Sequence, residues 1–314
     1  MEFKELRLSD RNMFERFLSL RERRLSAYHF ANTYIWKELF RIFYTIIEGC
    51  LCVFFKDKSG CFMYLPPLGR KLDTPLLNRC FAIMDEFNGN KDISRIENIE
   101  EKDVTFYRER GYAHSVKPGD YLCAKGDIVS LKGNRYKSKR ASRNYFVKHY
   151  DFEFRPFLGQ DTDACLALYR RWAEERKDKF ADPVYRGMLE DCFSCHKLAM
   201  ENHARLGLLG YVMRIGVRIC GYTFGFPLNS ETFCILFEIC DLSYRGISQF
   251  IFSQICRQLS DYQYINIMDD SGLENLNKVK LSYRPIRIVP NCIIKRYKTG
   301  TFLAPSVEVS LNCL

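Results

Sequence analysis

The sequence predicts an α/β protein built as two copies of one unit, each a mixed, mostly antiparallel sheet flanked by helices. Three observations lead there. Apolar residues make up 47% of the 314 and charged residues 27%, values of a chain that buries a core and does not stay disordered. Stretches alternating with period 2 are interleaved with stretches at helical spacing. The order strand, cap, helix also recurs about 150 residues along, where length alone already favours two domains. The expected domains are therefore 1–150 and 151–314.

Taken in order, Glu2–Leu8 alternates like a strand, and Ser9-Asp10 offers a cap before a helix marked by Met13, Phe14, Phe17 and Leu18. Cys50–Phe55 and Cys61–Leu65 flank the turn Asp57-Lys58-Ser59-Gly60 as a hairpin, which runs into Pro66-Pro67-Leu68-Gly69. Asn134–Tyr150 reads as a helix bridging the halves. Then the pattern restarts. Phe152–Leu158 alternates, Gly159–Asp163 supplies a turn and cap, and Cys165, Leu166, Leu168, Tyr169 and Trp172 follow at helical spacing. Leu209–Ile215 and Ile219–Phe226 form a second hairpin, again ending in Pro-Leu at 227–228. Glu231–Asp241 is apolar at almost every position, as in a strand covered on both faces. After Leu242–Gly246 comes a helix marked by Ile247, Phe250, Ile251, Ile255 and Leu259. Tyr262–Met268 is a strand broken by Asp269-Asp270-Ser271-Gly272; a short helix through Leu281 and a strand arm from Arg287 to Tyr297 complete the chain.

Charge is unevenly placed. The whole chain carries 48 Lys and Arg against 38 Asp and Glu, a net of +10, and residues 1–150 hold +9 of it. Lys132, Arg135, Lys137, Lys139, Arg140, Arg143 and Lys148 fall within seventeen residues that contain no acid. Arg135, Lys139 and Arg143 share one helix face, where like charges repel. Either a phosphate-rich ligand or acidic neighbours in the fold would compensate them. No run of 18 apolar residues is present, so no transmembrane helix is expected. The acidic start Met1-Glu2-Phe3-Lys4-Glu5 lacks the pattern of an export signal. A cytoplasmic protein is expected, with the positive helix available for a membrane surface. The fourteen cysteines mostly sit in apolar runs and read as small buried hydrophobes in a reducing compartment. Cys192-Phe-Ser-Cys195-His196 spells a haem-attachment pattern and half a zinc site. It also reads as core cysteines on a helix, and no second ligand pair stands at metal spacing, so no metal is expected.

A strand running into Tyr244-Arg245-Gly246 and a helix, then a further strand and a short helix, resembles the GNAT acyltransferase fold, here in tandem. More closely, the chain resembles the family named for the C-terminal domain of phosphatidylglycerol lysyltransferase. The matching stretches are Tyr34-Ile-Trp36, Tyr64-Leu-Pro-Pro-Leu-Gly69, Gly119-Asp-Tyr121-Leu122 and Leu131-Lys-Gly133 with Lys139-Arg140 and Asn144-Tyr-Phe146. Asp241-Leu-Ser-Tyr-Arg-Gly246 with Gln249-Phe250, and Lys278-Val-Lys-Leu-Ser-Tyr283 with Pro285, extend the match over nearly the whole chain. The resemblance implies transfer of an acyl or aminoacyl group, from aminoacyl-tRNA to a lipid head group in the best-known members, or from acyl-CoA in ordinary GNAT enzymes. The latter cradle pyrophosphate on an Arg/Gln-x-x-Gly-x-Gly/Ala loop. Counting from Arg245, this chain has Ser248 and Phe250 where glycines belong, which restricts backbone approach to a pyrophosphate.

Such a reaction needs a base for the acceptor's proton or a charge for the tetrahedral oxyanion. Glu238 and Asp241 stand three apart on one strand and point to opposite faces. Asp241, at the strand end beside Arg245, is the favoured base or amine-orienting carboxylate, with capping of the next helix as its other role. Asp269, beside Asp270, ends the following strand at the same edge or makes a plain turn. The expected donor-binding set is Lys132, Arg135, Lys139, Arg140 and Arg143, with Tyr244, Arg245, Gly246 and Ser248 at the turn and Lys280 and Tyr283 beyond it. No resident cofactor is expected, only a donor, aminoacyl-tRNA or acyl-CoA. The competing readings are a non-catalytic binding module for a nucleic acid or anionic lipid, and an acyl-CoA-dependent N-acetyltransferase.

Overall fold

Residues 2–89, 92–179 and 183–296 are described by the structure, a computed structural model. The expected Tyr297 strand end and Cys313 lie outside those residues. The contacts group the described residues into two units: those within 2–120 with 269–272 and 289–296, and those within 121–268 with 273–288.

In the first unit the opening segment is strand for only two residues, β1 (Lys4–Glu5), before α1 (Arg11–Leu18), which buries Phe14. Next come α2 (Phe30–Tyr34), β2 (Arg41–Ile47), β3 (Cys50–Lys56) and β4 (Cys61–Met63). The turn between β3 and β4 closes as expected, with Asp57 Oδ1 accepting the Ser59 and Gly60 N–H groups. α3 (Thr74–Asn88) is capped by the Asp73 carboxylate and stopped by Gly89 at φ 55°, the left-handed stop that favours glycine. β5 (Ile96–Glu100), α4 (Glu101–Arg108) and β6 (Tyr112–Ala124) follow. β1 to β4 pair antiparallel in sequence, β4 and β5 pair parallel at Met63 and Ile96, and β5 is flanked antiparallel by β12 (Arg287–Arg296). Phe43, Phe54, Phe81 and Ile99 lie in its core.

The second unit repeats that order. It takes the end of β6 and holds α5 (Lys125–Ser130), α6 (Lys137–His149), β7 (Glu153–Pro156), α7 (Thr162–Lys179), α8 (Pro183–Glu201), α9 (His203–Leu206) and β8 (Leu209–Ile215). β9 (Arg218–Pro227), β10 (Thr232–Cys240), α10 (Ile247–Gln258), β11 (Tyr264–Asn266) and α11 (Glu274–Leu281) complete it. β7 to β10 pair antiparallel in sequence, β10 and β11 pair parallel, and β11 is flanked antiparallel by β6. Strand orders β1-β2-β3-β4-β5-β12 and β7-β8-β9-β10-β11-β6 are thus equivalent, and the internal repeat is one of topology.

The sixth strands are exchanged along the chain. β12 follows every element of the second unit, yet from Val289 onward it is grouped with the first; β6 begins in the first and ends in the second. A single cut near 150 therefore does not separate the units, and α6 lies wholly within the second.

Every cysteine among the described residues is buried, and none of them forms a disulfide. Cys192 and Cys195 sit on the inner face of α8, and His196 beside them stacks on Phe237 at 3.8 Å with Nδ1 2.8 Å from the Tyr222 hydroxyl. This segment is packed core. Among the described residues no three His, Cys, Asp or Glu are gathered to hold a metal, and no helix is long and apolar enough to cross a membrane.

Candidate active site in the second unit

The parallel pair β10–β11 builds the site by coming apart. Its pairing covers three residues, Thr232 to Cys234 against Tyr264 to Asn266, while β10 runs on to Cys240. Two local features separate the strands. The buried Asn266 side chain accepts the Met268 N–H at 2.7 Å, and Met268 takes φ 58°, so the backbone turns out of the strand. Opposite, the register between β10 and β9 shifts between Ile235 and Phe237, a bulge at Leu236 that bends the strand and re-aims its side chains.

A cavity of about 170 Å³ opens where the strands part. Ile235 to Glu238 line one wall without a break, which strict alternation forbids and the bulge allows. Ile267 and Met268 form the opposite wall, Phe252 of α10 lies below, and α11 with Tyr283 closes the top. That top is tied down: Lys280 Nζ donates to the Ile267 carbonyl at 2.6 Å, Asn277 donates to the Tyr121 hydroxyl at 2.7 Å, and the Tyr136 hydroxyl donates to the Tyr283 carbonyl at 3.0 Å.

Glu238 is the carboxylate in this apolar chamber. Its Oε2 is closed from solvent and has no hydrogen-bond partner among the described residues. Burial raises its pKa to about 8, against the pull of the Lys139 ammonium. Lys139 projects from α6 over the Tyr283 ring, 3.5 Å from its centroid. Burial, and then Arg284, lower its own pKa to about 8. Burial also holds the Tyr283 hydroxyl well above its usual value. An acid and a base poised near neutrality beside an apolar cavity can exchange a proton with a bound reactant.

The other expected site residues are distributed differently. Asp241 Oδ1 accepts the Ser243 N–H at 3.1 Å and its hydroxyl at 2.6 Å, so this carboxylate makes the turn before α10. Asp269 accepts the Ser271 N–H and Asp270 the Gly272 N–H; both are grouped with the first unit and line no part of this cavity. On the basic helix, Lys139 turns inward, while Arg135 pairs with Asp127 at 2.7 Å. Arg140 donates to the Leu131 and Gly133 carbonyls, and Arg143 to the Val129 carbonyl at 3.1 Å. Much of the cationic face thus caps the C-terminal end of α5, a favourable use of positive charge. Lys132, Lys137 and Lys148 stay exposed. Arg245 lies over the Tyr145 ring at 4.6 Å, Tyr244 packs on Tyr150, and Ser248 is half-buried in α10.

At the turn itself, α6 comes close to the backbone. Gly246 has φ 89°, and a Cβ there would fall 2.0 Å from the Ser142 carbonyl of α6.

Paired units of this topology, each with a parallel strand pair set among antiparallel strands, define a tandem GNAT-like protein. Similar solved structures include a conserved protein of unknown function from Bacteroides thetaiotaomicron, 24% identical with TM-score 0.82 over 95% of this chain and all of that one. L-PGS from Bacillus licheniformis is 18% identical with TM-score 0.57 over 91% of both chains. A tandem GNAT protein from the clavulanic acid biosynthesis pathway is 9% identical with TM-score 0.50 over 93% of this chain and 97% of that one. The chain belongs to the phosphatidylglycerol lysyltransferase C-terminal family, whose model matches residues 18–294. An uncharacterised protein of Mycoplasmoides gallisepticum is 26% identical over 180 residues, and the match spans about half of its length, 56% of either chain.

Proposed function

We propose that this chain is an acyl or aminoacyl transferase of the GNAT type, with its reaction centre at the parting of β10 and β11. Family and fold both point to that class. The observation that carries the assignment to this cavity is Glu238, a solvent-closed carboxyl oxygen without a partner among the described residues, set in an apolar wall beside Lys139.

In this reading an acceptor amine or hydroxyl attacks the donor's ester or thioester carbonyl, and ionised Glu238 takes the acceptor's proton. The new acyl C–N or C–O bond forms as the C–O or C–S bond to the leaving group breaks. Glu238 then returns its proton to that leaving group. A carboxylate titrating near 8 is matched to this work. The preferred donor is an aminoacyl ester of tRNA. Two features favour it over acyl-CoA: Ser248 and Phe250 stand where a pyrophosphate loop carries glycines, and Lys132, Lys137 and Lys148 remain exposed for a polyanion.

The test is transfer from charged tRNAs and from acyl-CoA by the parent chain and by Glu238→Gln. We expect turnover with the tRNA ester, lost by at least about a hundredfold in the variant, while tRNA binding across a salt series is retained. Turnover that survives Glu238→Gln would move the base elsewhere, and turnover with acyl-CoA alone would reverse the donor.

A further inference from the structure

The first unit holds a separate cavity of about 260 Å³ that plays no part in the scheme above. Four cationic side chains, Arg21, Arg23, Arg70 and Lys71, line it against a single carboxylate, Asp103. Its apolar floor is Pro66-Pro67, Leu72 and Phe106. From these we infer a binding site for a small phosphate-bearing ligand, the phosphoryl group held by Arg21, Arg70 and Lys71 and an apolar or planar part lying on the floor.

The walls are fixed before any ligand arrives. Arg23, 8% exposed, is anchored to Asp103 at 2.5 Å and to Glu100 at 3.4 Å. Glu100 also accepts the Arg24 and Leu25 N–H groups at 2.6 and 3.3 Å, tying the segment after α1 to the start of α4. Arg21 donates to the Arg70 carbonyl at 3.3 Å and so joins the two rims. The Pro66–Gly69 segment is clamped by reciprocal backbone bonds between Leu51 and Leu68 at 2.9 Å. A Cβ on Gly69 would fall 2.2 Å from Cys50 Sγ, so glycine is needed there for close approach. The Pro-Pro-Leu-Gly motif is therefore the scaffold of this pocket.

Charge selects the ligand. Asp103 and Glu100 neutralise Arg23, and Lys71 reaches Asp73 only at 3.6 Å on an exposed rim. The Arg70 guanidinium makes no hydrogen bond or ion pair among the described residues. Two arginines converging without a matching acid, beside a Lys71 only loosely paired with Asp73, favour a multiply charged phosphoryl group over a single carboxylate, and arginine forks fit its oxygens. A soluble phosphate ester and a phospholipid head group share this chemistry.

The test is calorimetric titration of the full chain with inorganic phosphate and pyrophosphate. In parallel, flotation is measured with phosphatidylcholine vesicles with and without phosphatidylglycerol. The variants are Arg70→Ala, Arg21→Ala/Arg70→Ala, and Glu238→Gln. We expect saturable binding, weakened about tenfold by Arg70→Ala, weakened further in the double variant and unchanged in Glu238→Gln. The unchanged Glu238→Gln response keeps this site distinct from the proposed reaction centre. Titration without flotation identifies a soluble ester; flotation that needs both phosphatidylglycerol and Arg70 identifies a head group. Absence of both, or binding indifferent to Arg70 and Arg21, overturns the proposal. Arg70→Ala is expected to melt at the parent's temperature, which a thermal melt checks.

Discussion

At the residue scale, Glu238 couples function to stability. In the unfolded chain it ionises near its ordinary value of 4.5, whereas in the fold burial holds the proton on until about pH 8. Between those values the folded protein binds the extra proton. Stability contributed by this group is therefore complete below the unfolded value and is lost as pH rises through about 8. Glu238→Gln removes the titration. Its melting temperature is expected to match the parent's near pH 4 and to exceed it near pH 9, the reverse of its effect on transfer. An equal offset at both pH values would show that Glu238 ionises normally in the fold. The carboxylate favoured from sequence, Asp241, is instead satisfied locally by Ser243, a pairing common to Asp two residues before Ser in a turn.

At the scale of elements, the joint between α6 and α10 rests on one glycine. Gly246→Ala combines a left-handed backbone at φ 89° with a Cβ 2.0 Å from the Ser142 carbonyl. It should destabilise the protein by roughly 1–3 kcal/mol, seen as a lower denaturant midpoint. A change near zero would mean that α6 moves aside freely. Sequence periodicity made the hairpin Leu209–Phe226, the buried strand Thr232–Cys240 and the helix Ile247–Gln258 legible, because their apolar spacing is unbroken. It overextended β1, which is two residues, and β11, which is three because the Asn266 side chain takes the Met268 N–H. The basic helix was legible as a helix, but not its partners: the carbonyls at the end of α5 and just past it that receive Arg143 and Arg140 carry no signature in side-chain sequence. The bulge at Leu236 was hidden for a related reason. It is a register shift against β9, and without it Glu238 and Asp241 could be compared only by their spacing.

For the whole molecule, the exchanged sixth strands set what can be cut. A fragment of residues 1–150 lacks β12 and a fragment of 151–314 lacks β6. In each case the parallel strand, β5 or β11, is left as an unpaired edge, a template for aggregation. Neither fragment should give a cooperative melt alone, while the two expressed together should recover a soluble complex with one. Independent cooperative folding of the 1–150 fragment would show β12 to be dispensable.

The same exchange governs the order in which the protein is made. The first unit emerges from the ribosome first, but its β12 strand arrives only with residues near 290, after every described element of the second unit has been synthesised. Completion of the first unit's sheet thus waits on the synthesis of β12, and a stop ahead of residue 287 leaves its damage in a sheet whose other strands were all made before residue 101.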